Sequence, residues 1–175
     1  YKSLLVHGTL SPGEGDMAYL LAKEGVEALK FRGLQRSVNP KAELITAYRL
    51  YKVLCDFQPD IIHTHTAKAG ALGRLVTVFY NWTRGRQHSV RIVHTYHGHV
   101  FDGYFGKRST AVFLGLERLL ARWTDRIIAI SPRIADEIGR RYAIGRPDQV
   151  CSIRLGFDLA PFVGIDDSQG LSLIH

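Results

Sequence analysis

Short apolar runs closed by glycine or polar residues alternate along this chain with longer stretches in which apolar residues recur every three or four positions. The first pattern reads as buried parallel strands and the second as amphipathic helices lying on a sheet. Six strands are expected, over residues 3–7, 26–31, 60–64, 90–95, 125–130 and 149–153. Helices are expected between them. A weak one covers 17–24 and is closed by Gly25. The next opens on Asn39 as cap and Pro40 in the first turn, and Pro59 stops it. Its inward stripe is read as Leu44, Ala47, Tyr48, Tyr51, Leu54 and Cys55. A helix led by Lys68 carries Leu72, Leu75, Val76 and Phe79 on one face. Another, over 109–123, has a core stripe of Phe113, Leu116, Leu120 and Trp123. The last opens on Ser131 and Pro132 and turns Ile134, Ile138 and Tyr142 inward.

Strict alternation of strand and helix implies βαβ units: an α/β, Rossmann-like, doubly wound, mostly parallel sheet with helices on both faces. At 175 residues the chain is long enough for one domain with a real core. Neither an internal repeat nor a low-complexity segment is visible. Gly70 and Gly73 fall in the first turns of their helix, where each costs roughly 1 kcal/mol of helix stability. The return is close approach, of helix to sheet or of backbone to a ligand.

Composition changes this picture little. The charge of +7 favours anionic partners such as nucleotide phosphates or acidic lipid headgroups, and it is equally well explained as a solubilising surface. Cys55 and Cys151 form no close motif, which suggests neither a disulfide scaffold nor a zinc knuckle and fits a reducing cytoplasm. No apolar run approaches the ~20 residues that span a bilayer. The start lacks both an initiator Met and the pattern of a signal peptide, so the chain is expected to begin within a longer protein. Residues 163–175 have no periodicity. Their ending, GLSLIH, resembles translated sequencing adapter, and they are expected to be an unstructured or artefactual tail after a domain of 1–162.

Histidines concentrate where such a fold binds ligands. His63 and His65 close the third strand, and His94, His97 and His99 close the fourth: five of the eight in the chain. In open α/β sheets the ligand crevice lies beyond the carboxyl ends of the strands.

The segments PDIIHTHTAKAG, GRL, VHTYHGHVFDGYFG, LERLLARWTDRIIAIS and IRLGFDLAPF, in that order, resemble the N-terminal domain of a retaining family-four glycosyltransferase of the GT-B architecture. The resemblance runs from the start to about Phe162. It implies transfer of a sugar from a nucleotide-sugar donor to a saccharide or polyprenyl-linked acceptor, in cell-surface polysaccharide or glycan synthesis. The nucleotide sugar is then a substrate, and no cofactor, metal or nucleic acid is expected. Such enzymes hold the acceptor on the N-terminal domain and most of the donor on a C-terminal domain. Nothing after Phe162 matches the latter, and the family's first strand and its glycine-rich loop have no counterpart. An internal fragment is therefore expected, inactive alone, with an exposed sheet edge. The implied location is the cytoplasm, peripheral on the inner face of the membrane.

The same resemblance makes His97 the leading candidate, as the histidine beside the donor sugar. An imidazole can donate or accept a hydrogen bond at neutral pH. In a retaining transfer the departing phosphate can take the acceptor proton, so His97 is assigned to positioning and electrostatic stabilisation. Gly98 would let the backbone approach a ligand, or simply make a turn. His99 extends the triplet as a further substrate contact. His65, nearer the crevice than His63, either contacts substrate or has a capping role. Lys68, at a helix N-terminus that favours anions, either binds one or is solvated. Glu117 has no basic residue three or four positions away, so it either finds a partner on another element, such as a loop histidine or a backbone N–H, or is an exposed edge carboxylate. Tyr104 shapes an acceptor groove or packs its own loop. Arg84, Arg86, Arg91, Lys107, Arg108, Arg118 and Arg122 are read as one basic face for an anionic membrane, or as scattered charge.

Three alternatives stand beside this reading. The fold also serves sugar-nucleotide epimerases. Paired His-x-His motifs also serve zinc hydrolases, although no acidic third ligand stands beside either pair. A non-catalytic binding fragment is the third.

Overall fold

The computed structural model describes residues 2–10, 18–35, 39–85, 89–98 and 107–156. The first two strands, β1 (Leu4–His7) and β2 (Glu27–Lys30), pair in parallel, Leu4 against Glu27 through His7 against Lys30. The other four are β3 (Ile61–His65), β4 (Arg91–Tyr96), β5 (Arg126–Ala129) and β6 (Val150–Ser152). They form a second parallel sheet in the order β3-β4-β5-β6. Five α-helices are described: α1 (Ala18–Lys23), α2 (Pro40–Phe57), α3 (Ala67–Arg84), α4 (Lys107–Ala121) and α5 (Pro132–Asp136), the last continuing as a π-helical turn through Arg141. This is the α/β, parallel, Rossmann-like architecture that the alternation predicts, and all six strands fall where the apolar runs put them.

The helix signals act as read. Asn39 Oδ1 accepts from the Ala42 N–H at 3.2 Å, while Glu43 Oε1 accepts from the Asn39 N–H at 3.3 Å, satisfying two groups that the first turn leaves open. Ser131 Oγ accepts from the Ile134 N–H, with Pro132 in the first turn. Gly25 closes α1 in the left-handed region at φ +62°, a conformation that costs glycine nothing.

The two sheets share one core although no strand of one pairs with the other among the described residues. Val6 and Leu29 from the small sheet pack with Leu50 and Leu54 of α2, Val76 and Tyr80 of α3, and Ile62 and Val90 beside the large one. A second cluster joins Tyr96, Ala121, Ile127, Ala129, Ile134 and Ile138 under α4 and α5. The inward faces of α2 and α3 differ from the expected stripes. On α2, Thr46, Leu50 and Leu54 are buried, while Leu44 and Tyr48 face solvent at 74% and 65% exposure. The helix leans on α3 and on the turn at 32–34, where Gly33 lies so close that a Cβ would overlap the Thr46 hydroxyl. On α3, Leu75 and Phe79 point outward and the sheet meets Gly70, Gly73, Arg74 and Thr77. A Cβ at Gly70 would come within 2.5 Å of His94 Cε1, and one at Gly73 within 2.9 Å of Thr64 Cγ2. Glycine here serves approach of helix to sheet, which decides the helix's rotation over its own hydropathy. On α4, Leu116 and Trp123 are likewise partly exposed, and Glu117, Leu120 and Ala121 turn inward.

Candidate functional site

Side chains alternate across a strand, so each of β3 and β4 offers one set to the helices and one to the opposite face. Thr64, His94 and Tyr96 take the helix side and are buried. His63, His65 and His97 take the other, at the carboxyl ends of β3 and β4, and face solvent. Parallel register places His63 opposite Val93 and His65 opposite Thr95, which puts His97 just beyond His65.

The three outer histidines form one cluster. The rings of His63 and His65 lie 4.3 Å apart and those of His65 and His97 5.0 Å apart. His65 Nδ1 and His97 Nε2 share a hydrogen bond of 2.8 Å, in which one ring must donate and the other accept, so at least one is neutral. His63 Nε2 bonds Thr95 Oγ1 at 2.7 Å. Burial, with His63 and then His97 nearby, lowers His65 to about 4, and burial followed by His97 lowers His63. His63 and His65 are therefore held as neutral imidazoles, able to donate and accept hydrogen bonds. Among the described residues, no group of three or more His, Cys, Asp or Glu side chains is arranged to hold a metal ion.

Beneath the cluster lies a buried polar network that the sequence did not announce. Arg74 of α3 has no exposed surface. Its Nη2 donates to both Glu117 oxygens, at 3.0 and 2.8 Å, and its Nε donates to the Gly70 carbonyl at 3.0 Å. The Tyr96 hydroxyl donates to Glu117 Oε2, and burial, followed by the Glu117 charge, pushes that hydroxyl's pKa up so that it remains a donor. His94 stands edge-on to Tyr96 at 4.7 Å. Its Nδ1 lies 2.9 Å from Thr64 Oγ1, whose own proton goes to the Val93 carbonyl. Burial, then the Arg74 charge, lowers His94 to about 3. Tyr96 and His97 are consecutive, so the network clamps one end of the peptide whose other end presents His97.

The expected site residues separate accordingly. His97 and His65 meet. Gly98 adjoins them; a Cβ there would meet nothing within 4 Å among the described residues and its φ is outside the left-handed region, so neither crowding by these nor turn geometry demands glycine. Lys68 is paired at the surface: its Nζ lies 2.9 Å from Glu43 Oε1 of α2, and this pairing lowers the Glu43 carboxyl. Glu117 is not an exposed edge carboxylate. It has the cross-element partner that one reading allowed, but the partners are Arg74 and Tyr96 rather than a histidine or a backbone N–H, and both its oxygens are engaged in the core. His99 and Tyr104 lie outside the described residues. Arg84, Arg91, Arg118 and Arg122 are the described members of the basic set. Arg118 reaches the Tyr142 carbonyl, Arg84 stands over the Tyr80 ring, and Arg91 sits at the opposite end of β4 from the histidines. Arg86 and the side chains of Lys107 and Arg108 lie outside the described residues. A groove of about 340 Å³ lined by Ile61, Arg91, Asp125 and Arg146 is also at that far end, and none of the histidines touches it. Arg74 was missed because a charged residue within a helix ordinarily reads as exposed. The signal was its place one step after Gly73, on the small-residue face.

A parallel α/β domain with polar side chains at the carboxyl edge of its central strands is a class that handles nucleotide and sugar substrates in many forms. Sequence comparison narrows it: residues 10–160 match the family model described as Glycosyltransferase Family 4, and the chain belongs to that family. It is 30% identical over 140 residues to UDP-Gal:alpha-D-GlcNAc-diphosphoundecaprenol alpha-1,3-galactosyltransferase of Escherichia coli, an alignment covering 79% of this chain and 34% of that protein. Among solved structures it resembles a glycosyltransferase from Rickettsia africae, with a TM-score of 0.65 and 16% identity over 95% of this chain and 46% of that one. It also resembles S. aureus MnaA in a co-structure with UDP, with a TM-score of 0.53 and 16% identity over 85% of this chain and 42% of that one. The chain spans about a third of the length of the curated relative and under half of each structure.

Proposed function

We propose that residues 1–162 form the acceptor-side domain of an enzyme that transfers a sugar from a nucleotide-sugar donor to a saccharide or lipid-linked acceptor in surface polysaccharide or glycan assembly. The carrying observation is the match of residues 10–160 to Glycosyltransferase Family 4, in a domain that presents the His65–His97 pair at the carboxyl ends of two central strands. The E. coli relative, whose name specifies a diphosphoundecaprenol-linked acceptor, supports a polyprenyl-linked acceptor here as well. The proposed partner is a C-terminal, donor-binding domain, which together with this one would form the cleft. Use of a nucleotide sugar would support a cytoplasmic reaction, and a polyprenyl acceptor one at the inner face of the membrane.

Within that cleft His97 contacts donor or acceptor and stabilises charge at the departing phosphate, while His65 fixes its ring by sharing a proton. Gly98 leaves room for a ligand beside the backbone. His99 and Tyr104 remain proposed contacts from the following loop. Glu117 acts through Tyr96 as a positioning residue, and Lys68, tied to Glu43, holds the entry of α3. The epimerase and metal-hydrolase readings gain no comparable observation.

The test is sugar transfer by the protein as its gene encodes it, with a panel of nucleotide sugars and polyprenyl-linked acceptors, for wild type and His97→Ala. A loss of about a hundredfold or more in the folded variant supports the assignment. Unchanged turnover removes His97 from the site, and no transfer with any donor overturns the function.

A further inference from the structure

A single residue, Thr66, joins β3 to α3: the strand ends at His65 and the helix begins at Ala67. Both sides of this link are held. His65 lies in register opposite Thr95, and Gly70 in the first turn of α3 lies so near His94 that a Cβ on it would come within 2.5 Å of the ring. The Gly70 N–H closes that turn on the Thr66 carbonyl at 3.0 Å. The chain therefore changes direction at one position, where Thr66 has φ +62° and ψ 166°. That region is almost confined to glycine, and a β-branched residue in it is strained. Among the described residues two other non-glycine residues have positive φ, Gln58 and Ala143, and neither is β-branched.

Glycine makes such a turn without strain, as Gly85 does at the other end of α3 with φ +74° and ψ 179°. Nor does the threonine cap its helix. Asn39 and Ser131, which open α2 and α5, have extended backbones, and their side-chain oxygens accept from first-turn N–H groups at 3.2 and 3.3 Å. Thr66 makes no such bond, and its exposed hydroxyl has no partner among the described residues. The side chain thus serves neither the turn nor the helix. Strain that the surrounding structure enforces and the fold does not use is a mark of functional positions. Thr66 directly follows His65 at the carboxyl end of β3, where His65 meets His97. Its hydroxyl stands at the rim of the histidine cluster, free to donate and to accept.

We infer that Thr66 is a specificity-determining residue of the crevice, whose hydroxyl hydrogen-bonds a hydroxyl of the sugar bound beside His65 and His97. This rests on the sugar transfer proposed above, and the contact belongs to the threonine side chain rather than to the helix terminus. A sugar hydroxyl is the fitting partner because it too both donates and accepts. The donor sugar and the acceptor sugar both carry such groups, and kinetics with each substrate varied in turn separates them.

Sugar transfer by the protein as its gene encodes it, with the same panel of nucleotide sugars and polyprenyl-linked acceptors, is measured for wild type, Thr66→Gly, Thr66→Val and Thr66→Ser, each beside a urea denaturation curve. Thr66→Gly releases the strain, so its urea midpoint should equal or exceed that of wild type while kcat/KM falls about tenfold, the worth of one hydrogen bond. Thr66→Val keeps the branched shape without the hydroxyl; it should hold the wild-type midpoint and show the same tenfold loss. Thr66→Ser keeps the hydroxyl and should stay within about threefold of wild type. A raised KM for the nucleotide sugar assigns the contact to the donor, and a raised KM for the acceptor assigns it to the acceptor. An equal loss in Thr66→Ser and Thr66→Val overturns the inference by making shape the requirement. A midpoint of Thr66→Gly below wild type overturns it by showing that no strain is stored. Wild-type transfer that Thr66→Val leaves intact overturns the inference alone, whereas absence of transfer by the wild type overturns the enzyme reading and the Thr66 contact with it.

Discussion

Arg74 and Glu117 meet in the core across 43 residues of sequence, with the Arg74 Nη2 2.8 Å from a Glu117 oxygen and no part of Arg74 exposed. An ion pair withdrawn this far from water regains its desolvation cost only when its geometry is good and its remaining valences are filled. Here Gly70 and Tyr96 fill most of them, and Arg74 Nη1 has no hydrogen-bond partner among the described residues. Removing one partner leaves the other as an uncompensated buried charge. Glu117→Leu or Arg74→Met should each lower stability by about 3–5 kcal/mol, measured by urea denaturation. The double substitution should cost much less than the sum, and additivity would show that the two do not act as a pair.

Tyr96 transmits that pair to the surface, because its neighbour His97 lies on the opposite face. Tyr96→Phe should cost only about 1 kcal/mol in stability, the value of one hydrogen bond. Transfer should suffer more: kcat should fall while KM changes little, since the loss concerns placement of His97 rather than substrate contact. Equal kcat in wild type and variant would disconnect the network from the site.

Stability should depend on pH in a defined direction. Burial holds His94 down to about 3 and His65 to about 4, below the ordinary 6.5, so the fold prefers both rings neutral. The unfolded chain therefore takes up protons first as the solution is acidified. Stability from these groups is complete above 6.5 and is lost as the pH falls through that value towards 4 and then 3. Urea midpoints should drop across this window. His94→Asn should flatten the profile, and an unchanged slope in that variant would assign the dependence to other groups.

Two glycines should respond oppositely to the same methyl group. Gly70→Ala drives a Cβ to within 2.5 Å of the buried His94 ring and should cost about 1–3 kcal/mol. Gly98→Ala meets no described residue within 4 Å and should leave the melting temperature unchanged, while weakening substrate binding if a ligand packs against that backbone. A matched loss of stability in both would contradict the difference in packing.

Much of the fold was legible in the sequence because its signals are local. Apolar runs such as the one ending at His65, the Asn39–Pro40 and Ser131–Pro132 starts, and the Gly25 stop each act within a few residues, and strict alternation of strand and helix leaves a parallel sheet as the consistent assembly. The histidine cluster was legible for the same reason: strand periodicity puts His63 and His65 on one face, and the fold class puts the ends of β3 and β4 together. Tertiary structure alone decided which way α2 and α3 are rotated, since the approach of Gly33 to Thr46 and of Gly70 to His94 outweighs the hydropathy of Leu44, Tyr48, Leu75 and Phe79. It also decided the partners of Glu117. Helical spacing tests only positions three and four residues away, whereas the counter-charge comes from another helix and becomes available only when both are packed against β4.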